Sequence, residues 1–567
     1  MVITVIEARK PFRVMKMEII SEERTYEGIP ALPSLVMAVM ESSGIRGYID
    51  ACCGTERSDG LFLTSGMAVK ALIGTMVERG KRPLYRVFDY YSTAPVDKLF
   101  GTFVKHKSLS DTVIAKRLDT VFNLNTEEVL CECYKKLREK YGFSTDRLFL
   151  DATNYTMFGI KYAESQLEHN AVLIENGIEI KESPMPAYGG NAKDKNNDRV
   201  QMNLSCAVDE NGIPLFGKSY DGNVSDIKMD EDMIELLRKF TNLQSPILMA
   251  DCKLCTNEIL GSLISSDIAF VTKVPFNFNS KLKETVLSSV QCSTMTESET
   301  RPERKYFQTT DEINGTQVRV IAYMLPHAEK DSEKFLKGPG LEKAAKKLKS
   351  LKSRRFFCKD DALDAFRNTL KGLDGGCYTA DPKVYADEAA EKRHGDGKLY
   401  RVESENVRVD ESKLRNSVIS HSVQVLITNL PFSADHSDNP RKEASADDVI
   451  DLYLEQYKVE AGFKMMKSGM NIADVYIHTP SRIATVAFIV CLATMVCKTI
   501  DFVLRKKKES GKRRVTVKSL ADIHANTIVK YDRSHDRLSV MGFPGATHEI
   551  FAIAEKLSIN LQHLLGY

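Results

Sequence analysis

The first quarter of the chain carries apolar residues at the three-to-four-residue spacing that is typical of an amphipathic α-helix. This spacing predicts helices over 66–78, 84–91 and 109–122. Thr64 and Ser65, and likewise the stretch 108–111, provide N-cap residue types where two of these helices begin. Two interpretations stay open for this region, a DNA-reading helix-turn-helix and a plain helical bundle with solvated charges. Its basic residues are Lys81, Arg82, Arg86, Lys105, Lys107, Lys116 and Arg117.

From residue 147 the pattern changes to short apolar or alternating runs that predict β-strands. The run 148–150 leads to Asp151, and an alternating run, an Asn211-Gly212 turn and a further run predict a hairpin. Helical spacing then alternates with short buried runs. The predicted order is strand, strand, strand, helix, strand, helix, strand, over 148–150, 200–208, 213–217, 226–240, 247–250, 257–264 and 268–274.

A long polar segment separates this core from the next helical pattern. It runs from 275 to about 444, with β-like pieces at 318–324 and 423–428 and a basic stretch at 343–355. A connection of that length without structure is abnormal, so an inserted domain is expected. Helical spacing resumes at Ser445, an N-cap residue type with Asp447 and Asp448 in the first turn.

Composition narrows the class of protein without identifying it. The chain has 567 residues, 43% of them hydrophobic, which suggests three to four domains. Its 79 Lys and Arg nearly balance 77 Asp and Glu, so attraction to nucleic acid must come from local clusters. The N-terminus does not read as a secretory signal. The apolar stretch 483–497 is shorter than a membrane span needs, so a buried core helix inside an intracellular, non-membrane protein is expected.

Twelve scattered cysteines are best interpreted as reduced thiols. The C-x-x-C pair Cys252 and Cys255 has no second pair of ligands that would complete a zinc site. A redox role for this pair is the weaker alternative.

Asp151 and Asp251 each follow an apolar strand, in LFLD and ILMAD. If the two strands are neighbours, the carboxylates meet at one edge of the sheet. Phosphodiester cleavage with two metal ions needs carboxylates that converge on cations about 3.5–4 Å apart, and magnesium prefers such oxygen ligands. Taken singly, each aspartate has an ordinary explanation as a turn or cap residue.

A third candidate carboxylate lies in a predicted helix after the inserted segment. Tyr453, Glu460 and Lys467 are spaced by seven residues, so on one continuous helix they share a stripe. The competing explanation is a surface helix with incidental charges. The spacing gains weight when it is considered together with the two aspartates.

These segments resemble the DDE transposases of bacterial insertion sequences whose RNase H-like domain is interrupted by a β-rich insertion. That family carries the signature Y-x2-R-x3-E-x6-K, whose four places are held here by Tyr453, Gln456, Glu460 and Lys467. The resemblance includes LFLDATNY, DGNVSD, VQVLITNL and EAGFKMMKSGM. It implies an α/β fold with domains over 1–140 (helical, DNA-binding), 141–275 (RNase H-like core, first part), 276–444 (β-rich insertion), 445–505 (second part of the core) and 506–567 (helical C-terminal region).

The resemblance also assigns chemistry and partners. It makes Asp151, Asp251 and Glu460 the catalytic residues and the ligands of two Mg²⁺ ions, with Mn²⁺ as a substitute. It assigns contacts with double-stranded DNA, at terminal inverted repeats and target DNA, to Tyr453, Gln456, Lys464 and Lys467. A homodimer on paired ends, in the bacterial cytoplasm at the nucleoid, is implied as well.

Two departures from the family bear on those contacts. Gln456 replaces an arginine, and an amide lacks the charged fork of that side chain. The chain has no tryptophan, so Phe276 or Phe278 is the candidate for a base-stacking surface, with core packing as the alternative. Asn223 and Asp226 are weaker candidates for supporting the site. The basic runs 505–508 and 512–514 are candidates for phosphate contacts, with a solvated loop as the alternative.

The sequence thus favours a cut-and-paste transposase. An RNase H-like nuclease that cuts without joining, and a non-catalytic DNA-binding remnant of a transposase, remain the alternatives.

Overall fold

The computed structural model describes residues 26–54, 62–78, 86–157, 161–188, 199–240, 246–250, 255–275, 280–291, 295–298, 301–387, 399–436, 438–456, 477–506, 516–560 and 564. The α-helices are, in chain order, α1 (Ala31–Ser42), α2 (Ile45–Cys53), α3 (Ser65–Met76), α4 (Val87–Tyr90), α5 (Val96–Phe100), α6 (Asp111–Phe122), α7 (Thr126–Tyr141), α8 (Tyr162–Glu175), α9 (Asp226–Phe240), α10 (Asn257–Ser265), α11 (Ser280–Gln291), α12 (Ala328–Phe335), α13 (Leu341–Ser350), α14 (Lys359–Lys371), α15 (Glu411–Ser422), α16 (Ala446–Leu454), α17 (Pro480–Lys506), α18 (Val517–Ile523) and α19 (Ala546–Lys556). Short 3₁₀ turns lie at His106–Leu109, Leu351–Ser353 and Asp374–Gly376, and a π turn at Leu336–Gly340.

The strands are β1 (Tyr26–Pro30), β2 (Arg147–Thr156), β3 (Ala187–Tyr188), β4 (Val200–Asp209), β5 (Pro214–Tyr220), β6 (Ile247–Ala250), β7 (Phe270–Lys273), β8 (Thr296–Glu297), β9 (Lys305–Ile313), β10 (Thr316–Met324), β11 (Tyr378–Ala386), β12 (Tyr400–Val409), β13 (Val423–Thr428), β14 (Ile528–Asp532) and β15 (Arg537–Met541). Within the described residues, the largest sheet has ten strands in the order β3-β4-β2-β6-β7-β13-β10-β9-β8, with β5 also paired to β4. β2 and β4 are antiparallel, whereas β6 and β7 run parallel to β2.

The first seven helices form where the apolar spacing predicts a helical region. The Thr64 side chain accepts a hydrogen bond from the Met67 backbone N–H at 3.3 Å and caps α3. Gly142 ends α7 in the left-handed conformation, at φ +65°, which favours glycine. These helices share one hydrophobic core with the main sheet and with α17. The region is helical from Ala31 onwards, but β1 precedes it and pairs with β14 near the other end of the chain.

The hairpin of β4 and β5 forms around the predicted Asn211-Gly212 turn. Gly212 has φ +75°, a conformation that favours glycine, and its N–H donates to the Asp209 carbonyl at 2.9 Å. The predicted core order is confirmed for the three strands, α9, β6, α10 and β7. One helix and one short strand, α8 and β3, lie between the first two strands and were not predicted.

The segment 276–444 contributes strands to the main sheet in addition to a part that stands apart. Its strands β9, β10 and β13 extend the main sheet beyond β7, because β13 pairs with β7 on one side and with β10 on the other. What stands apart is a second hydrophobic core between Leu336 and Leu414, built from α13, α14 and the hairpin β11–β12. We call this part the second core; it is mainly helical.

The apolar stretch 483–497 lies inside α17, as the sequence predicts. This helix is long and apolar enough to cross a bilayer, but 89% of its most apolar window is buried inside the protein. It therefore serves as a core helix. The C-terminal region is not wholly helical, since β14 and β15 form a hairpin between α18 and α19.

Candidate active site

Asp151 lies in the middle of β2, not at the end of a strand. The parallel pairing of β2 with β6 stops at Leu150 and Ala250, whereas its antiparallel pairing with β4 continues to Thr156. The predicted strand terminus was wrong, because β4 is long enough to extend β2 past the aspartate. Asp151 is thus the first residue beyond the parallel ladder, where no β6 residue among those described lies beside it.

The carboxylate of Asp151 is half-buried and partly held by the backbone. Its Oδ1 accepts a hydrogen bond from the Ala152 N–H at 2.8 Å. On the neighbouring strand β4, the residue paired with Asp151 is Cys206. The Sγ of Cys206 lies 3.9 Å from the Sγ of Cys491 in α17. The contact with Cys491, together with burial and the charge of Asp151, raises the pKa of Cys206. The thiol paired with Asp151 therefore stays protonated and does not add a second negative charge beside the carboxylate.

The strand that leads to Asp251 runs beside the one that carries Asp151. β6 is parallel to β2, and Ala250 is paired with Leu150. In both strands the next residue of the sequence is an aspartate, Asp151 after Leu150 and Asp251 after Ala250. Asp251 and its neighbour Cys252 lie outside the described residues, while Cys255 is buried.

The helix after the inserted segment ends earlier than the sequence predicts. α16 begins with a capping box, in which Ser445 Oγ accepts from the Asp448 N–H at 3.1 Å and Asp448 Oδ2 accepts from the Ser445 N–H at 2.9 Å. The helix stops at Leu454, and Glu455 and Gln456 follow in a turn. The predicted helix from Tyr453 to Lys467 is thus interrupted by this turn, and its part from residue 457 onwards lies outside the described residues.

Two of the predicted DNA-contacting side chains fall within the described residues. Tyr453 is 8% exposed and packs into the main core, and Gln456 is half-buried. The turn between them is tied to the sheet, since Glu455 forms an ion pair with Arg147 at the start of β2. Glu460, Lys464 and Lys467 lie outside the described residues, as do Phe276 and Phe278.

A cluster of buried amides fixes the loop after β5, and sequence reasoning missed it. Asn203 Nδ2 donates to the carbonyls of Asp221, Gly222 and Val224 at 3.2–3.3 Å. Gln201 Nε2 donates to the Gly222 carbonyl at 3.2 Å. A Cβ at Gly222 would lie 1.9 Å from the Gln201 carbonyl oxygen, so only glycine fits. The available signal was amide side chains at alternating positions of an otherwise apolar strand.

This loop accounts for the two weaker candidates near the site. Asn223 is exposed, and Asp226 is the first residue of α9, where a helix favours an acid. The loop is bound to the strands through its backbone and Asp221, whose Oδ1 accepts from the Met185 N–H at 2.7 Å.

At the opposite end of β4 a buried carboxylate has an unusual ionisation. Asp209 is fully buried, and burial is the main cause that raises its pKa from 3.8 to about 7, with a further contribution from the charge of Glu210. Its oxygens accept hydrogen bonds from the backbone N–H groups of Asn211 and Ile213 and from the Tyr134 hydroxyl. Asp209 therefore stabilises the hairpin turn and lies three pairs along the ladder from Asp151.

The basic residues of the N-terminal region do not all face solvent. Arg86, Lys105, Lys107 and Lys116 are exposed, whereas Arg117 is buried, 5% exposed, and donates from Nε to the Leu63 carbonyl at 2.6 Å. A phosphate contact by Arg117 is therefore ruled out by its packing. Lys81, Arg82 and most of the two C-terminal basic runs lie outside the described residues.

The described part of the chain supplies one of the three predicted metal ligands. Among the residues that the structure describes, no group of three or more His, Cys, Asp or Glu could hold a metal ion. That search includes Asp151 but neither Asp251 nor Glu460. The oxygen chemistry of Asp151 and its half-buried position suit a hard divalent cation.

Comparison with known proteins gives two family matches. The profile described as "Transposase DDE domain" matches residues 143–496. A profile described as "Domain of unknown function (DUF4277)" matches residues 31–134. No curated protein matches the chain.

One similar solved structure is the "Cryo-EM structure of piggyBac transposase synaptic complex with hairpin DNA (SNHP)", at 9% identity and a TM-score of 0.38. The match covers 88% of this chain and 81% of the other.

Proposed function

This chain belongs to the DDE transposase family, and from that premise we propose that it cuts DNA at transposon ends and joins the freed strand to target DNA. The observation that carries the proposal is the parallel pairing of Leu150 with Ala250, each followed in the sequence by an aspartate. Each aspartate is thus one peptide bond beyond a residue of the same paired position, which supports placing the two carboxylates together.

The strand order around Asp151 supports an RNase H-like core as part of the proposal. β5, β4 and β2 form an antiparallel meander, and β6 and β7 continue the sheet parallel to β2. This order and these directions support an RNase H-like sheet, with Asp151 in β2 as its proposed catalytic aspartate.

Chain length allows Glu460 to join the two aspartates. Glu455 is held at the start of β2 by its ion pair with Arg147. Asp151 is four residues along that strand, about 13 Å away at the rise of a β-strand. Glu460 follows Glu455 by five residues, which span up to about 17 Å when extended. The connection is thus long enough, and the ion pair sets its starting point.

The residues that would hold the metal ions are Asp151, Asp251 and Glu460. All three are hard oxygen donors, which fit Mg²⁺ or Mn²⁺. When bound, such ions supply Lewis acidity at the scissile phosphate and activate the attacking oxygen. The chain contributes the position of the carboxylates: the β4 ladder holds the backbone of Asp151, and the Ala152 N–H orients its Oδ1.

DNA contacts near the site are proposed for Tyr453, Gln456, Lys464 and Lys467. With Tyr453 only 8% exposed, its contribution would be to position the turn that carries Gln456 rather than to offer a wide contact surface. Gln456 can donate hydrogen bonds from its amide NH₂ to a phosphate but carries no charge. Paired transposon ends need two sites, so a homodimer on DNA is part of the proposal.

The test is cleavage and joining by the Asp151→Asn variant. The amide keeps the shape of the side chain but removes its charge, so we expect cleavage to fall by at least about 100-fold while DNA binding persists. The matched control is Asp146→Asn, an exposed aspartate just before β2. The substrate is DNA that carries the inverted repeats flanking the coding sequence.

Strand transfer is measured separately with pre-cleaved ends. Joined product from the wild type and none from Asp151→Asn supports a transposase. Cleavage without any joined product would instead identify a nuclease. Full cleavage by Asp151→Asn would remove this residue from the site and overturn the proposal.

A further inference from the structure

A dense group of basic side chains lies on the surface of the second core. Between residues 343 and 359 the sequence has eight basic residues and no acidic one, in a chain of net charge +2. Two of the eight are neutralised, because Lys352 pairs with Glu403 at 2.6 Å and Arg355 pairs with Asp387 at 3.1 Å. The other six are exposed: Lys343, Lys346, Lys347, Lys349, Arg354 and Lys359.

Four of these residues project from α13, and we call them the lysine face: Lys343, Lys346, Lys347 and Lys349. The helix buries Ala344 and Leu348 in the second core, so its other side is turned to solvent. Lys343, Lys346 and Lys347 follow the i, i+3, i+4 spacing of one helical surface. Among the described residues, no carboxylate forms an ion pair with any of the four.

Like charges at this spacing repel each other by a few tenths of a kcal/mol per pair, and the repulsion is relieved only by a bound anion or by salt. A helix of ten residues is about 15 Å long, and duplex DNA carries one negative charge per about 1.7 Å of its axis. Lysines spread along α13 can therefore each meet a phosphate.

We propose that the lysine face binds the phosphate backbone of duplex DNA independently of base sequence. Lysine suits this role because it acts as a point charge on phosphate and does not read base edges from a surface helix. The inference deepens the proposed function by giving the same DNA partner a second surface, on the second core and not at the carboxylates. It would hold DNA in place during cleavage without taking part in the chemistry.

The test is the salt dependence of binding to a fluorescein-labelled duplex of mixed sequence, measured by anisotropy in EDTA. Each phosphate contact contributes about 0.9 to the slope of log K against log salt concentration. The variant Lys343→Gln, Lys346→Gln, Lys347→Gln, Lys349→Gln should therefore lower that slope by about 3 to 4 and weaken binding at least about tenfold at low salt. Glutamine is nearly as good a helix former as lysine, so α13 should persist.

A charge-matched control removes four exposed lysines elsewhere in segment 276–444: Lys305, Lys330, Lys334 and Lys371, each changed to Gln. It should keep the wild-type slope, and the four-lysine-to-arginine variant of the lysine face should keep it too. Equal slopes for the wild type and the Gln variant of the lysine face would overturn the inference. So would an equal loss in the control, which would indicate a general charge effect. Neither result bears on the role of Asp151, which is tested by DNA cleavage. If the wild type does not bind duplex DNA at all, the proposed function itself is contradicted.

Discussion

The buried carboxylate of Asp209 should make the stability of the protein depend on pH. Asp209 is 0% exposed, and its pKa is raised from 3.8 to about 7. Between these two values the folded protein binds one proton more than the unfolded chain. The contribution of Asp209 to the free energy of unfolding is therefore largest below about pH 4. It falls as the pH rises toward 7 and stays level above that.

The size of the effect follows from the shift. One pKa unit corresponds to about 1.4 kcal/mol, so a shift of about 3 units sets an upper limit of about 4 kcal/mol. Asp209→Asn removes the titration and keeps the contacts. The amide oxygen still accepts from the N–H groups of Asn211 and Ile213, and the amide N–H₂ can donate to Tyr134, whose hydroxyl then donates to Thr145.

The measurement is the urea midpoint of wild type and Asp209→Asn at several pH values from about 4 to about 8. We expect the urea midpoint of Asp209→Asn to rise steadily relative to that of the wild type as the pH rises to about 7. Above that pH the difference between the two midpoints should stay constant. Asp146→Asn, which removes an exposed aspartate, corrects for the loss of one charge. Parallel pH profiles for wild type and Asp209→Asn would refute the raised pKa.

Three further changes test single contacts in the loop after β5, in the N-terminal helices and between Arg147 and Glu455. Gly222→Ala places a Cβ against the Gln201 carbonyl oxygen, and we expect a loss of about 1–3 kcal/mol in urea unfolding; an unchanged midpoint would contradict the close approach. Arg117→Ala leaves the Leu63 carbonyl without its donor, so a loss of about 1.5–3 kcal/mol is expected, and a stable variant with weakened DNA binding would contradict the structural role. Arg147→Glu should reduce cleavage, and adding Glu455→Arg should restore it. Since both side chains are about one-third exposed, the stability change should stay below about 1 kcal/mol, and a double variant as inactive as the single one would argue against the ion pair as an anchor.

Local pattern was sufficient for much of the fold. The apolar spacing predicted α9 at its observed bounds, and the Asn211-Gly212 pair predicted the hairpin because a left-handed glycine is needed there. α8 escaped prediction because its buried side chains include Tyr162 and Gln166, while Leu167 and Val172 are exposed. The usual relation of apolar residues to the core is inverted in that helix.

Long-range pairing limited the prediction of the domains and the site. Nothing local in 423–428 shows that β13 pairs with β7, so the strands of the inserted segment were assigned to a separate domain. For the same reason the continuation of β2 past Asp151 depends on a partner strand about fifty residues away in sequence. The end of α16 at Leu454 was missed because the seven-residue spacing of Tyr453, Glu460 and Lys467 fits a helix without requiring one.

Convergence of three remote carboxylates on shared metal ions is tested most directly by iron-directed backbone cleavage. Fe²⁺ is bound in place of Mg²⁺, ascorbate and peroxide generate hydroxyl radicals at the metal, and the protein fragments are mapped by mass spectrometry. We expect cuts close to Asp151, Asp251 and Glu460 together, all suppressed by excess Mg²⁺ and by Asp151→Asn. Cuts near Asp151 and Asp251 with none near Glu460, or cuts that Asp151→Asn leaves unchanged, would contradict a shared metal site.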